Sequence, residues 1–171
     1  MSKKIQLKDS YLIGVISDTH GRLPPSVLKV FERTDLIIHA GDIGDPEILN
    51  SLGKIAPTIA VRGNMDTGKW TRRLPQNETV KICHRQLHVL HDVYNLDINL
   101  DSNNHNVVIY GHTHQPQVEK QQRVLYVNPG SAVHPRFGYP PSVVLLQIEG
   151  DSIRARLIDL SKQPVQHQCN L

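Results

Sequence analysis

The residues of this chain best suited to chemistry are His112 and His114, two imidazoles one residue apart in Gly111-His112-Thr113-His114. They close the apolar run Val107-Val108-Ile109-Tyr110. A histidine pair on a glycine-opened turn just past a buried-looking strand points to metal coordination sooner than to core packing. Alone the pair also arises by chance on ordinary strands, but four other stretches repeat the arrangement. Asp18-Thr19-His20-Gly21 follows the apolar run 11–17, and Gly41-Asp42-Ile43-Gly44-Asp45 follows 36–40. Arg62-Gly63-Asn64-Met65-Asp66 follows 58–61, and His91-Asp92 follows 86–90.

Ligands of open α/β sheets collect beyond the carboxyl ends of the strands, so all five clusters are expected to face one crevice. The coordinating groups are then Asp18, His20, Asp42, Asn64, His91, His112 and His114. Seven ligands exceed one ion and suit two ions that share a bridge. Asp42 is the natural bridge, because one carboxylate can offer an oxygen to each. Two divalent ions against two carboxylates leave a surplus of two positive charges, which a hydroxide and a phosphodiester would neutralise. Hydrolysis by paired ions with a metal-activated water is the chemistry such a site performs best. Oxygen and nitrogen ligands without sulfur favour Mn2+, with Zn2+, Fe2+, Ni2+ or Co2+ as alternatives, over calcium or copper.

The elements that must carry these tips read from the sequence as follows. Residues 11–17, 36–40 and 58–61 are buried strands, continuous rather than alternating in apolar character. Pro24-Pro25-Ser26 starts a short helix burying Val27, Val30 and Phe31, and a second helix lies between Pro46 and Gly53. After a basic loop over 69–73 the grammar changes to paired strands. Residues 79–82 and 86–90 form a hairpin about Cys83-His84-Arg85; 118–120 pairs with 124–127, and 143–148 with 153–158. Between them, 93–105 reads as one helical turn and a polar loop. Strand-helix alternation followed by hairpins predicts an α/β fold of two mixed sheets packed face to face with helices outside. No repeat or linker divides residues 1–171, so a single domain is expected.

Composition limits the partners. With 39% hydrophobic residues and a net charge of +3 over 171 residues, the chain can bury a sizeable core but is too weakly basic to argue for a stable nucleic-acid partner. Two distant cysteines, Cys83 and Cys169, make no disulfide framework. With no signal peptide and no membrane-length apolar run, a cytoplasmic location without membrane association is expected.

Taken in order, Asp-x-His, Gly-Asp-x-x-Asp, Gly-Asn-x-Asp, a later His and Gly-His-x-His resemble the signature of the calcineurin-like metallophosphoesterases. The length, the Gly-Asn-x-Asp variant and the trailing Asn128-Pro129-Gly130-Ser131 are similar to the compact YfcE-like phosphodiesterase branch. The resemblance runs from Tyr11 to about Ile158. It implies a four-layer α/β/β/α sandwich and a small phosphoester as substrate, with a small homo-oligomer possible by analogy. It also implies a division of ligands, with Asp18, His20 and His114 on one metal, Asn64, His91 and His112 on the other, and Asp42 on both. Asp42, Asn64 and His112 are the residues assigned to the catalytic step itself. The branch also resembles the retromer scaffold subunit, so a protein-binding scaffold with weak or no catalysis is the rival reading; its ligand positions should be eroded, and here all are intact.

Two positions depart from the common pattern. Many relatives carry a histidine where this chain has Met65, which cannot protonate a leaving group; a preference for good leaving groups follows. Asp92 stands where glycine is usual, as an acceptor for an imidazole N–H or as a turn residue. Asp45 reads as a helix cap or a support of the site, and Asp66 as a buttress of the Asn64 loop or a turn cap. His39 inside its strand reads as a satisfied core or supporting group. His84, His88, His105, His134 and His167 read as surface or hairpin residues, Gly130 and Ser131 as shapers of the crevice. Arg62 and Arg136 are candidates for reaching a phosphate.

Overall fold

The computed structural model describes residues 8–97 and 106–162. One five-stranded sheet has the order β10-β9-β1-β2-β3, from β1 (Ser10–Ile16), β2 (Leu36–His39), β3 (Thr58–Ala60), β9 (Ser142–Glu149) and β10 (Ser152–Asp159). In it β1, β2 and β3 run parallel, while β9 and β10 are antiparallel. The other five-stranded sheet has the order β4-β5-β6-β8-β7, from β4 (Asn77–Ile82), β5 (Arg85–Leu90), β6 (Asn106–Ile109), β7 (Pro116–Gln121) and β8 (Val124–Pro129). There β5, β6 and β8 are parallel and the two edges antiparallel. Both sheets are mixed, as expected.

The period-2 alternation of strands decides which residues meet between the sheets. Ile13, Val15, Ile38, Val144 and Leu146 of the first sheet pack against Val80, Leu87, Val89, Val107, Ile109 and Val127 of the second, all buried. The opposite face of the first sheet, through Ile16, Ile37, Val143 and Leu145, is covered by α1 (Pro25–Phe31) and α2 (Pro46–Gly53). They contribute Val27 and Phe31, and Ile48 and Leu52. Burial of one such side chain stabilises by about 1.5–3 kcal/mol. The far face of the second sheet is thinner. Leu90, Val108 and Tyr110 are met by Val93 and Leu96, from a 3-10 turn at Val93–Asn95. The fourth layer is thus reduced, among the described residues, to that turn.

Three sequence expectations change. Residues 69–73 form a 3-10 helix (Lys69–Arg73) rather than a loop, because Trp70 and Leu74 pack onto the helix-covered cluster while the basic side chains stay outside. His88, expected at the surface or in a hairpin, lies in the β4–β5 hairpin but is buried: alternation along β5 turns it away from Leu87 and Val89, between Thr79 Oγ1 (3.1 Å) and Asn106 Oδ1 (3.2 Å). The strands β7 and β8 run further than expected, to Pro116 and Pro129. The polar loop expected after residue 97, with His105, and also His167 and Cys169, lie outside the described residues. No helix among the described residues is long and apolar enough to cross a membrane.

Candidate functional site

The loops that end β1 and β2 keep pairing past their strands. Backbone bonds run from Asp18 N to Gly41 O (3.0 Å), His20 N to Asp42 O (2.9 Å) and Gly21 N to Ile43 O (2.7 Å). In the second sheet Gly111 N donates to His91 O at 2.9 Å. The two systems join where His112 N–H donates to Asp18 Oδ2 at 3.1 Å, so tips distant in sequence share one crevice. Two glycines make the approach possible. A side chain at Gly63 would run into Asp42 Oδ1, and one at Gly111 into Ser17 Oγ.

All seven sequence-named residues come together. His114 Nε2 lies 3.1 Å from Asp18 Oδ1 and 3.3 Å from His20 Nε2. Asp42 Oδ2 lies 3.3 Å from His91 Nε2 and 3.9 Å from His20 Nε2. Asn64 Oδ1 is 3.0 Å from both His91 Nε2 and His112 Nδ1. Asp18, His20 and His114 make one group with atoms mutually within 4.8 Å, and Asp18, Asp42 and His91 a second. Asp18, Asp42, His91 and His114 are buried.

Five of the seven carry strained backbone. Asp18, His20, Asp42, His112 and His114 have φ of 54°, 44°, 52°, 69° and 59°. Left-handed φ is uncommon away from glycine and costs on the order of 1–3 kcal/mol per residue, held only where the surroundings over-determine it. Such strain concentrates at sites of function.

Several neighbours fix the orientation of these side chains. His91 Nδ1–H donates to Ala40 O (2.7 Å) and His114 Nδ1–H to His134 O (2.6 Å), which points each Nε2 into the crevice. Asp42 Oδ1 accepts the Met65 N–H at 2.8 Å. Asp18 Oδ2 accepts the Ser17 hydroxyl at 2.6 Å, while the buried Asp18 Oδ1 faces His114 Nε2 at 3.1 Å.

The electrostatics agree with this crowding. Burial opposes charge at His91, yet its hydrogen bond to Asp42 and the Asp18 charge hold it above the ordinary histidine value. The hydrogen bond to Asp18 raises His114. Burial lowers His20. Against the upward pull of burial, hydrogen bonds from His91 and Met65 hold Asp42 below the usual carboxylate range.

The chemistry of the donors fits divalent cations. With its Nδ1 proton committed to Ala40, His91 faces the oxygens of Asn64 and Asp42 through Nε2. These three atoms need a positive centre among them, which a proton on Nε2 supplies in the metal-free protein and a divalent cation would supply in its place. In the other group the buried Asp18 Oδ1 lies 3.1 Å from His114 Nε2, whose Nδ1 proton is likewise committed, and makes the same demand.

The open alternatives resolve from the same geometry. Asp92 is a turn residue: its Oδ1 accepts Tyr94 N–H at 3.1 Å and caps the 3-10 turn. Asp45 caps α2 through Glu47 N–H at 2.9 Å. Asp66, fully buried, accepts from Gly44 N (2.9 Å) and Gly63 N (2.8 Å) and so buttresses the loops of Asp42 and Asn64. His39 is buried and satisfied: its Nδ1 accepts from Gly41 N–H at 3.2 Å and its Nε2–H meets Thr19 Oγ1 at 2.9 Å. Arg62 lies beside Asn64 and His112, and the Arg136 charge is felt at His114.

Sequence reasoning missed the struts. Ser131 Oγ donates to Asp18 O (2.7 Å) and receives His134 N–H (2.8 Å), placing the carbonyl that orients His114. Asn128 Nδ2 donates to Gly111 O at 3.0 Å. His134, expected at the surface, is exposed, but its ring is 5.9 Å from that of His20. The only sequence signal was the Asn128–Ser131 turn itself.

Comparison with known proteins agrees with this picture. The chain is 37% identical over 169 residues to a probable metallophosphoesterase of Methanocaldococcus jannaschii, covering 91% of this chain and 85% of the relative. The solved structure of YfcE, a phosphoesterase from Escherichia coli, superposes with a TM-score of 0.67 at 26% identity, covering 87% and 99% of the two chains. Vacuolar Protein Sorting 29 from Cryptosporidium parvum shares the fold at TM-score 0.73 and 20% identity, covering 88% and 91%. Residues 11–151 match the model of the calcineurin-like phosphoesterase superfamily domain, and the chain belongs to that superfamily.

Proposed function

We propose that this chain hydrolyses small phosphodiesters with the help of two divalent ions. The observation that carries the reading is the convergence of ligand-type atoms from distant loops: His91 Nε2, Asn64 Oδ1 and Asp42 Oδ2 on one side, His114 Nε2, His20 Nε2 and Asp18 Oδ1 on the other. Asp18, His20 and His114 would hold one ion, Asn64, His91 and His112 the other, and Asp42 both. Bound there, the ions supply an activated water near neutral pH and a clamp for phosphate oxygens. The protein's own share is orientation. Asp42 and Asp18 balance charge, Ala40 and His134 carbonyls fix imidazole tautomers, and Asp66 keeps the Asn64 loop against that of Asp42. The scaffold alternative finds less support, because none of the seven positions has lost its ligand-type side chain.

The direct test is hydrolysis of bis(p-nitrophenyl) phosphate by the full chain with Mn2+, Zn2+, Fe2+, Ni2+ or Co2+, against a chelated control. Turnover that depends on added ion is expected. No turnover with any of the five overturns the proposal.

Met65 adds a prediction. Its backbone N–H serves Asp42, while its side chain is 61% exposed at the rim of the site and offers no proton. Met65→His places a proton donor there. A positioned general acid contributes about 10²–10⁴-fold, so monoesterase activity relative to diesterase activity should rise about tenfold. An unchanged ratio in paired kinetics would show that position 65 does not govern leaving-group preference.

A further inference from the structure

Beside the Asn64, His91 and His112 half of the crevice opens a cavity of about 420 Å³, within the roughly 300–1,000 Å³ typical of ligand pockets. Its lining is more polar than is usual for such a pocket. Apart from Gly63 and Leu90, the walls beyond the site residues are Arg62, Gln76, Asn77, Asp92 and Asn95. Ligand pockets are mostly apolar or aromatic with a few polar groups; here polar and apolar surface are about equal. The Gln76 and Asn77 carboxamides make no hydrogen bond among the described residues, and neither do the terminal guanidinium nitrogens of Arg62, whose Nε alone donates to Asp66 O at 3.3 Å. Asn95 gives its Nδ2–H to Asp92 Oδ2 (3.4 Å) and keeps its oxygen available.

We infer that this cavity holds the organic group of the phosphodiester that stays bonded to phosphorus, and that this group is a polyhydroxylated alcohol of the glycerol or sugar class. The inference rests on the phosphodiesterase reading above. Carboxamides offer donor and acceptor side by side, matching hydroxyls, which also do both. With one guanidinium and one carboxylate the lining suits a neutral group. No Phe, Tyr or Trp face lines it for a base or phenyl ring to stack on, and its two imidazoles, His91 and His112, are those assigned to an ion above. Tyr94, on the adjoining turn, is 88% exposed and outside the lining. Beyond His91 and His112, which the proposed function commits to an ion, the lining offers no general acid for a departing alkoxide: guanidinium and carboxamide groups do not serve as one, and both Asp92 oxygens are engaged by the turn. The group held here is therefore the retained one, and the good leaving group that Met65 calls for departs elsewhere.

The test is calorimetric binding of glycerol phosphate, ribose phosphate, phenyl phosphate and a nucleoside phosphate to the full chain loaded with Mn2+, alongside the Gln76→Ala/Asn77→Ala variant. Both positions are exposed at the start of β4, so the fold tolerates the change. Two or more new hydrogen bonds predict glycerol phosphate bound about tenfold more tightly than phenyl phosphate, and the variant should lower that ratio at least about fivefold. Phenyl phosphate bound as tightly, or a ratio the variant leaves in place, overturns the inference. A nucleoside phosphate held about tenfold more tightly than ribose phosphate overturns it too, by assigning the cavity to a base. If the polyol preference holds but no ester is hydrolysed, the subsite stands and the proposed function falls. If esters are hydrolysed without the preference, the reverse is true.

Discussion

Asp42→Asn is expected to lose both ions and at least about 10³-fold in diester hydrolysis, the upper scale for removing one preorganised electrostatic group. The substitution preserves shape. The Asn oxygen can still accept the Met65 N–H that Asp42 Oδ1 takes at 2.8 Å. What changes is the edge facing His91 at 3.3 Å and His20 at 3.9 Å, where an NH2 group replaces Oδ2. An amide nitrogen has no lone pair for a cation, and the two buried carboxylates fall to one. Both ion positions lose their shared ligand together. The β-sheet core lies below the loops and is untouched, so the chelated variant should stay folded, losing relative to the chelated wild type only the Asp42–His91 contribution. The larger difference belongs to the loaded protein. Binding at about a thousandfold over Kd stabilises by about 4 kcal/mol, and the variant should show almost none of it. Metal analysis, bis(p-nitrophenyl) phosphate kinetics and melting with and without chelator report on one sample. Two ions retained at full activity would falsify the bridging role.

That prediction was reachable from sequence because the ligands sit where strands end. An apolar run closing in Asp, Asn or His shows in the chain itself, and the sheets then force those tips to one edge. The same logic placed β1, β2, β3, β5 and β6 within a residue or two. Sequence reading failed where side chains act through backbone. The carbonyls of Ala40 and His134, which orient His91 and His114, belong to residues whose side chains do something else or nothing there. Ser131 was visible as part of a turn, but its contact with Asp18 O spans more than a hundred positions. The left-handed φ of Asp18, His20, Asp42, His112 and His114 was hidden for a related reason: strain is normally read from glycine, and here the ligands bear it themselves.

His88 and the segment Lys69–Arg73 failed differently. A histidine in a hairpin reads as exposed unless the far face of its sheet is known to be covered, and Thr79 with Asn106 supplies partners from the strands on both sides. Lys69–Arg73 carries three basic residues, and charge outweighed the Trp70 and Leu74 that fasten it to the α1 and α2 cluster. Asp66 was legible as a candidate but not as a stitch, because Gly44 and Gly63 meet only in the fold.

His39 makes acid stability the second large effect. Its Nδ1 accepts from Gly41 N–H and its Nε2–H reaches Thr19 Oγ1, whose own hydroxyl donates to Ile43 O at 2.9 Å. The neutral ring thereby ties the Asp18 loop to the Asp42 loop; a second proton would confront the Gly41 N–H. Burial pushes its pKa down to about 3, outweighing the charges of Asp18 and Asp42. Unfolded histidine takes its proton near pH 6.5, so between pH 6.5 and 3 the unfolded chain binds more protons and stability falls as pH falls. The slope is about 1.4 kcal/mol per pH unit, which removes about 2 kcal/mol by pH 5 from a native stability on the order of 5–15 kcal/mol. Asp42, held below its ordinary value, contributes in the same direction, but only as pH drops through the carboxylate range. His91 and His114 act in the opposite window. Raised in the metal-free protein, their contribution is complete below pH 6.5 and lost as pH climbs through their folded values. The chelated protein should therefore be most stable near pH 6.5, whereas with Mn2+, which competes with protons for the imidazoles, stability should keep rising above that point. Urea midpoints from pH 4.5 to 8.5 read both limbs. In His39→Gln a carboxamide keeps a donor and an acceptor but cannot titrate, so its acid limb should flatten; an acid limb as steep as the wild type's would move the origin of the effect away from His39.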